Sequence, residues 1–370
     1  MFSPRACPRL IVKVGSALLV DPDGTVRREW LTSLVADIAA RTKAGQEIAV
    51  VSSGAIALGA RRLKLPKGGR ASLEDAQAAA ATGQIALSQV WAELLGAEGL
   101  TAAQMLVTLD DLEDRRRYLN AAATLNRLLA LGVVPVINEN DSVATAEIRF
   151  GDNDRLAARV GQAAGAQGVI LLSDVDGLYD ANPTTNPDAT MIARVDRIDA
   201  RIEAMADGGS GSGMGSGGMV SKIAAARIAT AAGAHLAIVS GHVPHPLAAF
   251  ADSAHGTVVV AEKTAPARKA WLAGGLTAKG QIHIDAGAAH ALIGGKSLLA
   301  AGAIRVEGKF RRGDLVAICG PDGKPLARGL AEYDAADAAL ITGKRSDALA
   351  AILGYAPRTA MVHRNHMALL

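Results

Sequence analysis

Five short runs of apolar residues recur through the first two-thirds of the chain, separated by longer segments with helical spacing. The runs are rich in Val and Ile, do not alternate with polar residues, and lie at residues 10–14, 47–51, 133–137, 168–172 and 235–239. Continuous apolar runs are typical of strands buried on both faces, and strands that alternate with helices are typical of a parallel sheet. The pattern therefore predicts an α/β fold, a three-layer αβα sandwich with a mainly parallel central sheet.

The segments between these runs predict helices at residues 29–44, 73–95, 111–131, 155–165 and 222–232. The stretch 79–100 is apolar by count, but polar residues interrupt it at Gln84, Ser88, Gln89, Glu93 and Glu98. This spacing is that of an amphipathic helix, so the sequence predicts no membrane-spanning segment and no membrane partner.

The composition of the chain changes after residue 262. The segment 263–275 contains Pro266, several Lys and Arg residues and the pair Gly274-Gly275, which is typical of a connection between domains. Strand-like pieces alternate with turns beyond it, at residues 281–284, 304–307 and 315–319. We therefore expect a first domain at residues 1–262, a linker at 263–275, a small mainly-β domain at 276–356 and a C-terminal tail at 357–370.

Composition and charge narrow the class of protein. The chain has 370 residues, of which 50% are hydrophobic and 20% charged, so it has enough apolar material for two buried cores. Its formal net charge of +3 is too small to indicate a nucleic-acid partner by itself. The two cysteines, Cys7 and Cys319, show no pairing pattern, and the first eight residues lack a signal-peptide apolar stretch. We therefore expect a cytoplasmic protein.

Polar residues with chemical potential follow four of the predicted strands. Because ligands of open α/β sheets bind outside the carboxyl ends of the strands, we expect these groups to converge on one crevice. Each group taken alone has the composition of a turn, but four groups together, one with a lysine, favour a binding site. The groups are Lys13-Val14-Gly15-Ser16, Ser52-Ser53-Gly54, Asn138-Glu139-Asn140-Asp141 and Ser173-Asp174.

A glycine-rich stretch at residues 208–222 ends at Lys222. Residues 213–218 match the dinucleotide pattern G-x-G-x-x-G by letter, but they follow no strand and no ribose-binding acid is evident downstream. The stretch also lacks the Gly-Lys-Ser/Thr of a Walker A loop. A flexible linker has the same composition. A backbone rich in free N–H groups that leads into a helix at Lys222 favours a phosphate site instead.

Phosphoryl transfer needs cations that offset the charge of the transferred group, and Lys13 and Lys222 are the candidates. A lysine at the end of a buried strand is costly unless it is paired, and Asp154 and Asp174 are the candidate partners. Asn153 or Asp154 is equally placed to cap the helix predicted at 155–165. Scattered histidines predict no protein-built metal site, and the absence of G-x-S-x-G around Ser52-Ser53-Gly54 speaks against a serine hydrolase.

Taken together, these motifs resemble the amino acid kinase family over nearly the whole chain. The motifs that carry the resemblance are IVKVGS at residues 11–16, VSSGAIA at 51–57, VINEND at 136–141, FGDND at 150–154, LSDVDGLY at 172–179 and GSGGMVSK at 215–222. The resemblance implies transfer of the γ-phosphoryl group of ATP, with Mg²⁺ carried by the nucleotide, to the side-chain carboxylate of L-glutamate. The expected product is L-glutamyl 5-phosphate, in the first step of proline synthesis.

The resemblance also implies roles for individual residues. Lys13, Lys222 and Asp154 would be catalytic, and Ser53, Asp141 and Asn153 would bind glutamate. The ATP-binding residues would be Lys13, Ser173, Asp174, Ser216, Gly217, Gly218, Met219, Val220, Ser221 and Lys222. Feedback inhibition by proline and assembly as a dimer or tetramer are implied in the same way.

The C-terminal domain resembles a PUA module through KSLLAAG at residues 296–302 and GKFRRGD at 308–314. PUA modules bind structured RNA elsewhere, and Lys309, Arg311 and Arg312 are the candidate phosphate contacts. RNA is possible but not favoured, because only 3% of the residues are aromatic and RNA recognition uses aromatic stacking. Two alternatives stay open: a kinase for aspartate, N-acetylglutamate or a nucleoside monophosphate, and an RNA-binding protein with a vestigial kinase fold.

Overall fold

The computed structural model describes residues 3–21, 23–143, 153–207, 218–261, 278–358 and 360–370. The chain divides into two compact units. The first comprises Met1–Glu113 and Asn120–Glu262, and the second comprises Asp114–Leu119 and Lys263–Leu370. The linker expected at 263–275 lies outside the described residues.

The N-terminal unit is built on an eight-stranded sheet in the order β3-β4-β2-β1-β5-β7-β8-β6. Neighbouring strands are parallel except β7 and β8, which are antiparallel. This arrangement confirms the predicted α/β fold with a mainly parallel sheet. The strands are β1 (Arg9–Val14), β2 (Glu47–Val51), β3 (Ala102–Val107), β4 (Val134–Glu139), β5 (Gly168–Ser173), β6 (Arg194–Val195), β7 (His235–Ser240) and β8 (Thr257–Val259).

The five predicted strands correspond to β1, β2, β4, β5 and β7. These strands form the middle of the sheet and are buried along most of their length, because apolar side chains on both of their faces are covered. The sequence did not predict β3, β6 and β8, which lie at or near the two edges of the sheet.

The N-terminal unit contains helices at the predicted places and at others. The predicted helix at 111–131 is two helices, and α9 begins at Met219, three residues before the predicted start at Lys222. The helices are α1 (Ser16–Leu19), α2 (Arg28–Lys43), α3 (Ala55–Arg62), α4 (Leu73–Ala97), α5 (Leu109–Glu113), α6 (Arg115–Ala130), α7 (Asn153–Ala164), α8 (Ala200–Asp207), α9 (Met219–Ala231) and α10 (Pro246–Ser253). The first residues of α6, as far as Leu119, belong to the second unit. In the described part of the chain, no helix is long and apolar enough to cross a membrane.

Helices α3 and α4 approach each other so closely that two glycines are required. A Cβ atom on Gly59 of α3 would lie 1.8 Å from the carbonyl oxygen of Ala79, and one on Gly83 of α4 would lie 1.8 Å from that of Ala55. Neither distance is compatible with a side chain. The backbones of the two helices therefore pack directly on each other, which fixes α4 against the end of the sheet where α3 begins.

The C-terminal unit contains a five-stranded sheet in the order β10-β9-β11-β12-β13. Its strands are β9 (Gly280–Ile284), β10 (Ala303–Gly308), β11 (Leu315–Cys319), β12 (Pro325–Leu330) and β13 (Met367–Leu369), and its helices are α11 (Ala286–Ile293), α12 (Ala335–Ile341) and α13 (Leu349–Leu353). This sheet confirms the expected small β region.

Residues 357–370, expected to form a tail, contribute to this unit. Strand β13 pairs antiparallel with β12, and Met361, Val362 and Met367 are buried in the hydrophobic core of the unit. We therefore propose domain boundaries in which the C-terminal domain extends to the end of the printed sequence. The basic run at 309–312 also divides: Lys309 and Arg311 are exposed, whereas the guanidinium Nε of Arg312 lies 3.6 Å from Oε2 of Glu332 and is largely covered.

Candidate active site

Three charged side chains meet at the carboxyl end of β1. The ammonium of Lys13, the fifth residue of β1, lies 2.6 Å from Oδ1 of Asp154, and the ammonium of Lys222 lies 3.1 Å from Oδ2. Asp154 is the second residue of α7, and Lys222 lies in the first turn of α9. All three residues are buried. One carboxylate therefore holds two ammonium groups together, and the group carries one net positive charge.

The protonation state of Asp154 follows from these neighbours. Burial raises the pKa of its carboxyl group, but the charges of Lys13 and Lys222 and their hydrogen bonds lower it by more, so the pKa lies below its ordinary value. Asp154 is thus a carboxylate at neutral pH. An excess positive charge in a buried place favours an anion nearby, and a phosphoryl group is such an anion.

Asn153, the residue before Asp154, reaches the ends of two other strands. Its Nδ2 lies 2.8 Å from Oγ of Ser53, 3.3 Å from the carbonyl oxygen of Ser52, and 3.3 Å from Oδ1 of Asn138. Its own Oδ1 is buried and accepts no hydrogen bond from the described residues. The first two residues of α7 therefore connect the groups after β1, β2 and β4. This is a tertiary role, which the helix-capping alternative does not supply.

Helix α4 supports the polar groups from the other side. Oε1 of Gln84 accepts a hydrogen bond of 2.9 Å from Nδ2 of Asn138, and the indole N–H of Trp91 donates one of 3.0 Å to Oγ of Ser52. Gln84 and Trp91 are seven residues apart and thus lie on the same face of the helix. Both are buried, so these hydrogen bonds are shielded from water.

A cavity of about 200 Å³ opens beside these groups, between α4 and the ends of β3 and β4. It is lined by polar Gln84, Gln104, Glu139 and Asp141, with apolar Ile85 and Leu106 among the other lining residues. Asp141 begins the short 3₁₀ turn Asp141–Val143 and is buried. Burial raises the pKa of its carboxyl group to about 6, although the charge of Arg70 opposes the shift.

The expected nucleotide-binding residues lie in two places. Ser173 ends β5, next to β1, and its hydroxyl donates to Oδ1 of Asp174 at 2.9 Å. Asp174, a candidate lysine partner, is exposed and has this contact instead. Gly218 is the N-cap of α9, and Met219, Val220, Ser221 and Lys222 form its first turn. Ser216 and Gly217 lie outside the described residues.

Within the described ranges, no group of three His, Cys, Asp or Glu side chains has the arrangement of a metal site. Both cysteines, Cys7 and Cys319, are free thiols.

Known protein families and proteins match this chain over most of its length. Residues 8–240 match the model of the amino acid kinase family, which is more than half of the chain. The chain belongs to the amino acid kinase family. Residues 280–353 match the PUA domain. Members of the amino acid kinase family are phosphotransferases that use ATP, so this chain is an enzyme of that class.

Two curated relatives align with this chain over its whole length. It is 74% identical to the glutamate 5-kinase of Sphingopyxis alaskensis over 100% of both chains. It is 64% identical to the glutamate 5-kinase of Zymomonas mobilis, over 100% of this chain and 93% of that protein. Among solved structures, the carbamate kinase of Giardia lamblia bound to AMP-PNP matches with a TM-score of 0.50 and 13% identity, over 69% of this chain and 99% of that one. The last comparison bears on the fold alone.

Sequence reasoning missed two residues of this site in the kinase unit. The sequence places Gln84 among the polar residues of an amphipathic helix, and no motif marks Trp91. The available signal was helical position: Gln84 shares a face with Ala80, Leu87 and Trp91, which are buried. A polar residue on the apolar face of a helix indicates a buried hydrogen-bond partner.

Proposed function

We infer that this chain is an ATP-dependent kinase for the side-chain carboxylate of L-glutamate, the reaction that begins proline synthesis. The observation that carries the inference is the position of two consecutive residues. Asp154 holds the two lysines, and Asn153 holds the polar groups after β2 and β4. A phosphate site and an acceptor site therefore adjoin at the start of α7. The full-length identity with glutamate 5-kinases supports glutamate as the acceptor.

The proposed reaction needs no nucleophile from the protein. An oxygen of the substrate carboxylate attacks the γ-phosphorus of ATP, the bond from that phosphorus to the β–γ bridging oxygen breaks, and ADP leaves with that electron pair. Lys13 and Lys222 offset the negative charge on the oxygens of the transferred group. Asp154 holds both ammonium groups in place, so little reorganisation is needed during transfer.

The acceptor groups fit an amino acid with a free α-ammonium group. Oδ1 of Asn153 and the carboxylate of Asp141 are hydrogen-bond acceptors, and the hydroxyl of Ser53 is a donor or an acceptor. An ammonium offers three donors, whereas the acetylated nitrogen of N-acetylglutamate offers one and no charge. The site therefore favours glutamate over an acetylated substrate.

We assign the nucleotide to the carboxyl end of β5 and the N-terminus of α9. Ser173, Asp174 and residues 216–222, from Ser216 and Gly217 to Lys222, are the proposed ATP contacts, because a helix N-terminus and an ammonium group both favour phosphate. Mg²⁺ carried by the nucleotide would supply further positive charge at the phosphates. Feedback inhibition by proline, a dimer or tetramer and a cytoplasmic location belong to the same proposal and rest on the family resemblance and the cysteine usage.

Trapping of the acyl phosphate tests this function. The purified protein, ATP, Mg²⁺ and hydroxylamine are incubated with glutamate, aspartate, N-acetylglutamate or a nucleoside monophosphate, and hydroxamate and ADP are measured. We expect glutamate to give hydroxamate at a kcat/KM at least tenfold above aspartate. Glutamate turnover no faster than aspartate turnover would reject the assignment.

A further inference from the structure

A line of side-chain hydrogen bonds runs from the middle of α4 to the acceptor site. Nε2 of Gln84 donates to Oγ of Ser88 at 3.2 Å, and Oε1 of Gln84 accepts from Nδ2 of Asn138 at 2.9 Å. Oδ1 of Asn138 then accepts from the main-chain N–H of Glu139 at 2.9 Å and lies 3.3 Å from Nδ2 of Asn153. Three amide side chains are thus linked in sequence.

The order of donors and acceptors gives this line a direction. An amide nitrogen only donates and an amide oxygen only accepts, so the orientation of one amide fixes the next. Because Nε2 of Gln84 donates to Ser88, Oε1 of Gln84 faces Asn138. Asn138 must then donate from Nδ2 to Gln84 and accept from Asn153 at Oδ1. Asn153 then presents nitrogen to Asn138 and Ser53. Its Oδ1 is left as an acceptor for the substrate.

Close packing and a further hydrogen bond fix the start of the line in place. Gln84 directly follows Gly83, where α4 packs on the backbone of α3 without an intervening side chain. The hydroxyl of Ser88 also donates to the carbonyl oxygen of Gln84 at 2.8 Å, so Ser88 is itself oriented. Since Gln84 and Asn138 are buried, water competes little for these hydrogen bonds.

We propose that Gln84 is a positioning residue for the phosphoryl-acceptor site, acting through Asn138 to hold the amide of Asn153 with Oδ1 available to the α-ammonium group of the substrate. This proposal rests on the proposed function, in which Asn153 binds that substrate. The side-chain hydrogen bonds described for Gln84 join it to Ser88 and Asn138 and not to Lys13 or Lys222. We therefore expect its effect to be confined to binding of the acceptor and to leave binding of ATP unchanged.

Steady-state kinetics of Gln84→Met test the proposal. Met keeps the length of the side chain and removes both hydrogen bonds. We expect the KM for glutamate to rise about tenfold, the effect of one or two lost hydrogen bonds, while kcat and the KM for ATP stay within about twofold. The milder Ser88→Ala, which removes the partner of Nε2, should raise the KM for glutamate about threefold. Gln89→Met, an exposed glutamine on the same helix, should match the parent.

A double-mutant cycle with Asn138→Ala separates positioning from direct contact, since Gln84 also lines the cavity. If Gln84 acts through Asn138, adding Gln84→Met to Asn138→Ala changes the KM for glutamate by less than about twofold. The proposal would be overturned if the effects of Gln84→Met and Asn138→Ala on the KM for glutamate multiplied in the double variant. It would also be overturned if Gln84→Met raised the KM for ATP as much as the KM for glutamate. Should Gln84→Met fail to fold, a folded Ser88→Ala with the parent's KM would overturn it as well. Parent protein without glutamate turnover would instead reject the proposed function.

Discussion

The two lysines and the single carboxylate at the end of β1 predict different consequences for activity and stability. Asp154→Asn leaves two buried ammonium groups without an anion, and breaking a buried ion pair in this way costs about 3–5 kcal/mol. Lys222→Met leaves a balanced pair of Lys13 and Asp154. We therefore expect Asp154→Asn to lower the free energy of unfolding, measured by urea denaturation, by roughly 3 kcal/mol, and Lys222→Met to change it by less than about 1 kcal/mol.

For Lys222→Met we expect a large loss of activity despite the small change in stability. Lys222→Met removes one charge that stabilises the transferred group, so kcat in the hydroxamate assay should fall by about 10² or more with the protein still folded. Arg227→Met, on the exposed side of the same helix, serves as the matched control and should keep the parent's kcat. A Lys222→Met protein with the parent's kcat would show that Lys222 has a structural role only.

Asp141 predicts a dependence of substrate affinity on pH. Burial raises the pKa of its carboxyl group to about 6 in the substrate-free protein. Its carboxylate form attracts the α-ammonium group of glutamate, so kcat/KM for glutamate should fall as the pH decreases from 7.5 through 6. Asp141→Asn should lower kcat/KM at pH 7.5 and remove this step from the profile. The control is Asp110→Asn, an exposed carboxyl, whose profile should match that of the parent.

The same shift has a consequence for stability. The folded protein binds the Asp141 proton more tightly than the unfolded chain, whose carboxyl pKa is 3.8, so stability decreases as the pH rises from about 4 to about 6. Above pH 6 the ionised carboxylate keeps this cost. Asp141→Asn should therefore raise the free energy of unfolding at pH 7.5, by about 3 kcal/mol, and change it little at pH 4. A variant less stable than the parent at pH 7.5 would contradict this.

Whether the sequence predicts a residue of the site depends on its position in the pattern of apolar and polar residues. Lys13 could be predicted because a charge inside an apolar strand requires a partner, and Asp154 is then one of two candidate partners, together with Asp174. Gln84 is harder to predict, since the many alanines of α4 blur the boundary of its buried face and only the register with Leu87 and Trp91 marks Gln84 as buried. The structure resolves this boundary through the approach of α3.

At the level of elements, the contact of α3 with α4 is the most constrained packing near the site. Gly59→Ala and Gly83→Ala each place a methyl group against a backbone carbonyl of the other helix, so the helices must separate. We expect each substitution to lower the free energy of unfolding by about 2–4 kcal/mol and, by displacing Gln84, to raise the KM for glutamate.

Gly96→Ala is the matched control on α4. A Cβ atom there would meet nothing within 4 Å, and alanine favours a helix over glycine by about 1 kcal/mol, so this variant should be as stable as the parent or more so. Thermal unfolding and glutamate kinetics of the three variants decide the matter. Equal stability of all three would mean that the helices do not approach as closely as described.

Strands differed in how well the sequence predicted them, for a physical reason. The central strands are buried on both faces and read as continuous apolar runs. Strand β3 is an edge strand whose residues are mostly exposed or half-buried, so its short run Ala102–Val107 has neither continuous apolarity nor regular alternation. Strand β6 has two residues and β8 has three, too few for a pattern.

On the scale of the whole molecule, the structure makes residues 357–370 part of the C-terminal unit, which the sequence alone does not predict. Residues 357–370 read as a tail because Arg358, His363, Arg364 and Asn365 interrupt the apolar pattern. The structure nevertheless buries Met361 and Val362 in the second core, and the main-chain N–H of Leu298 donates to the carbonyl oxygen of Val362 at 2.9 Å. Long-range pairing of this kind depends on contacts across about 60 residues of sequence, which local patterns do not record.

Removal of residues 357–370 should therefore unfold the C-terminal unit or destabilise it strongly. The deletion takes away β13 and the core side chains Met361, Val362 and Met367, each of which contributes roughly 2–3 kcal/mol through burial, against a total stability of about 5–15 kcal/mol for a domain. Limited proteolysis should cut the truncated protein within residues 280–353 at enzyme concentrations that leave the parent intact. Removal of Leu370 alone, an exposed residue beyond β13, is the control and should leave the parent's resistance to protease. Equal resistance of the longer truncation would mean that residues 357–370 are a dispensable tail, as their sequence first indicated.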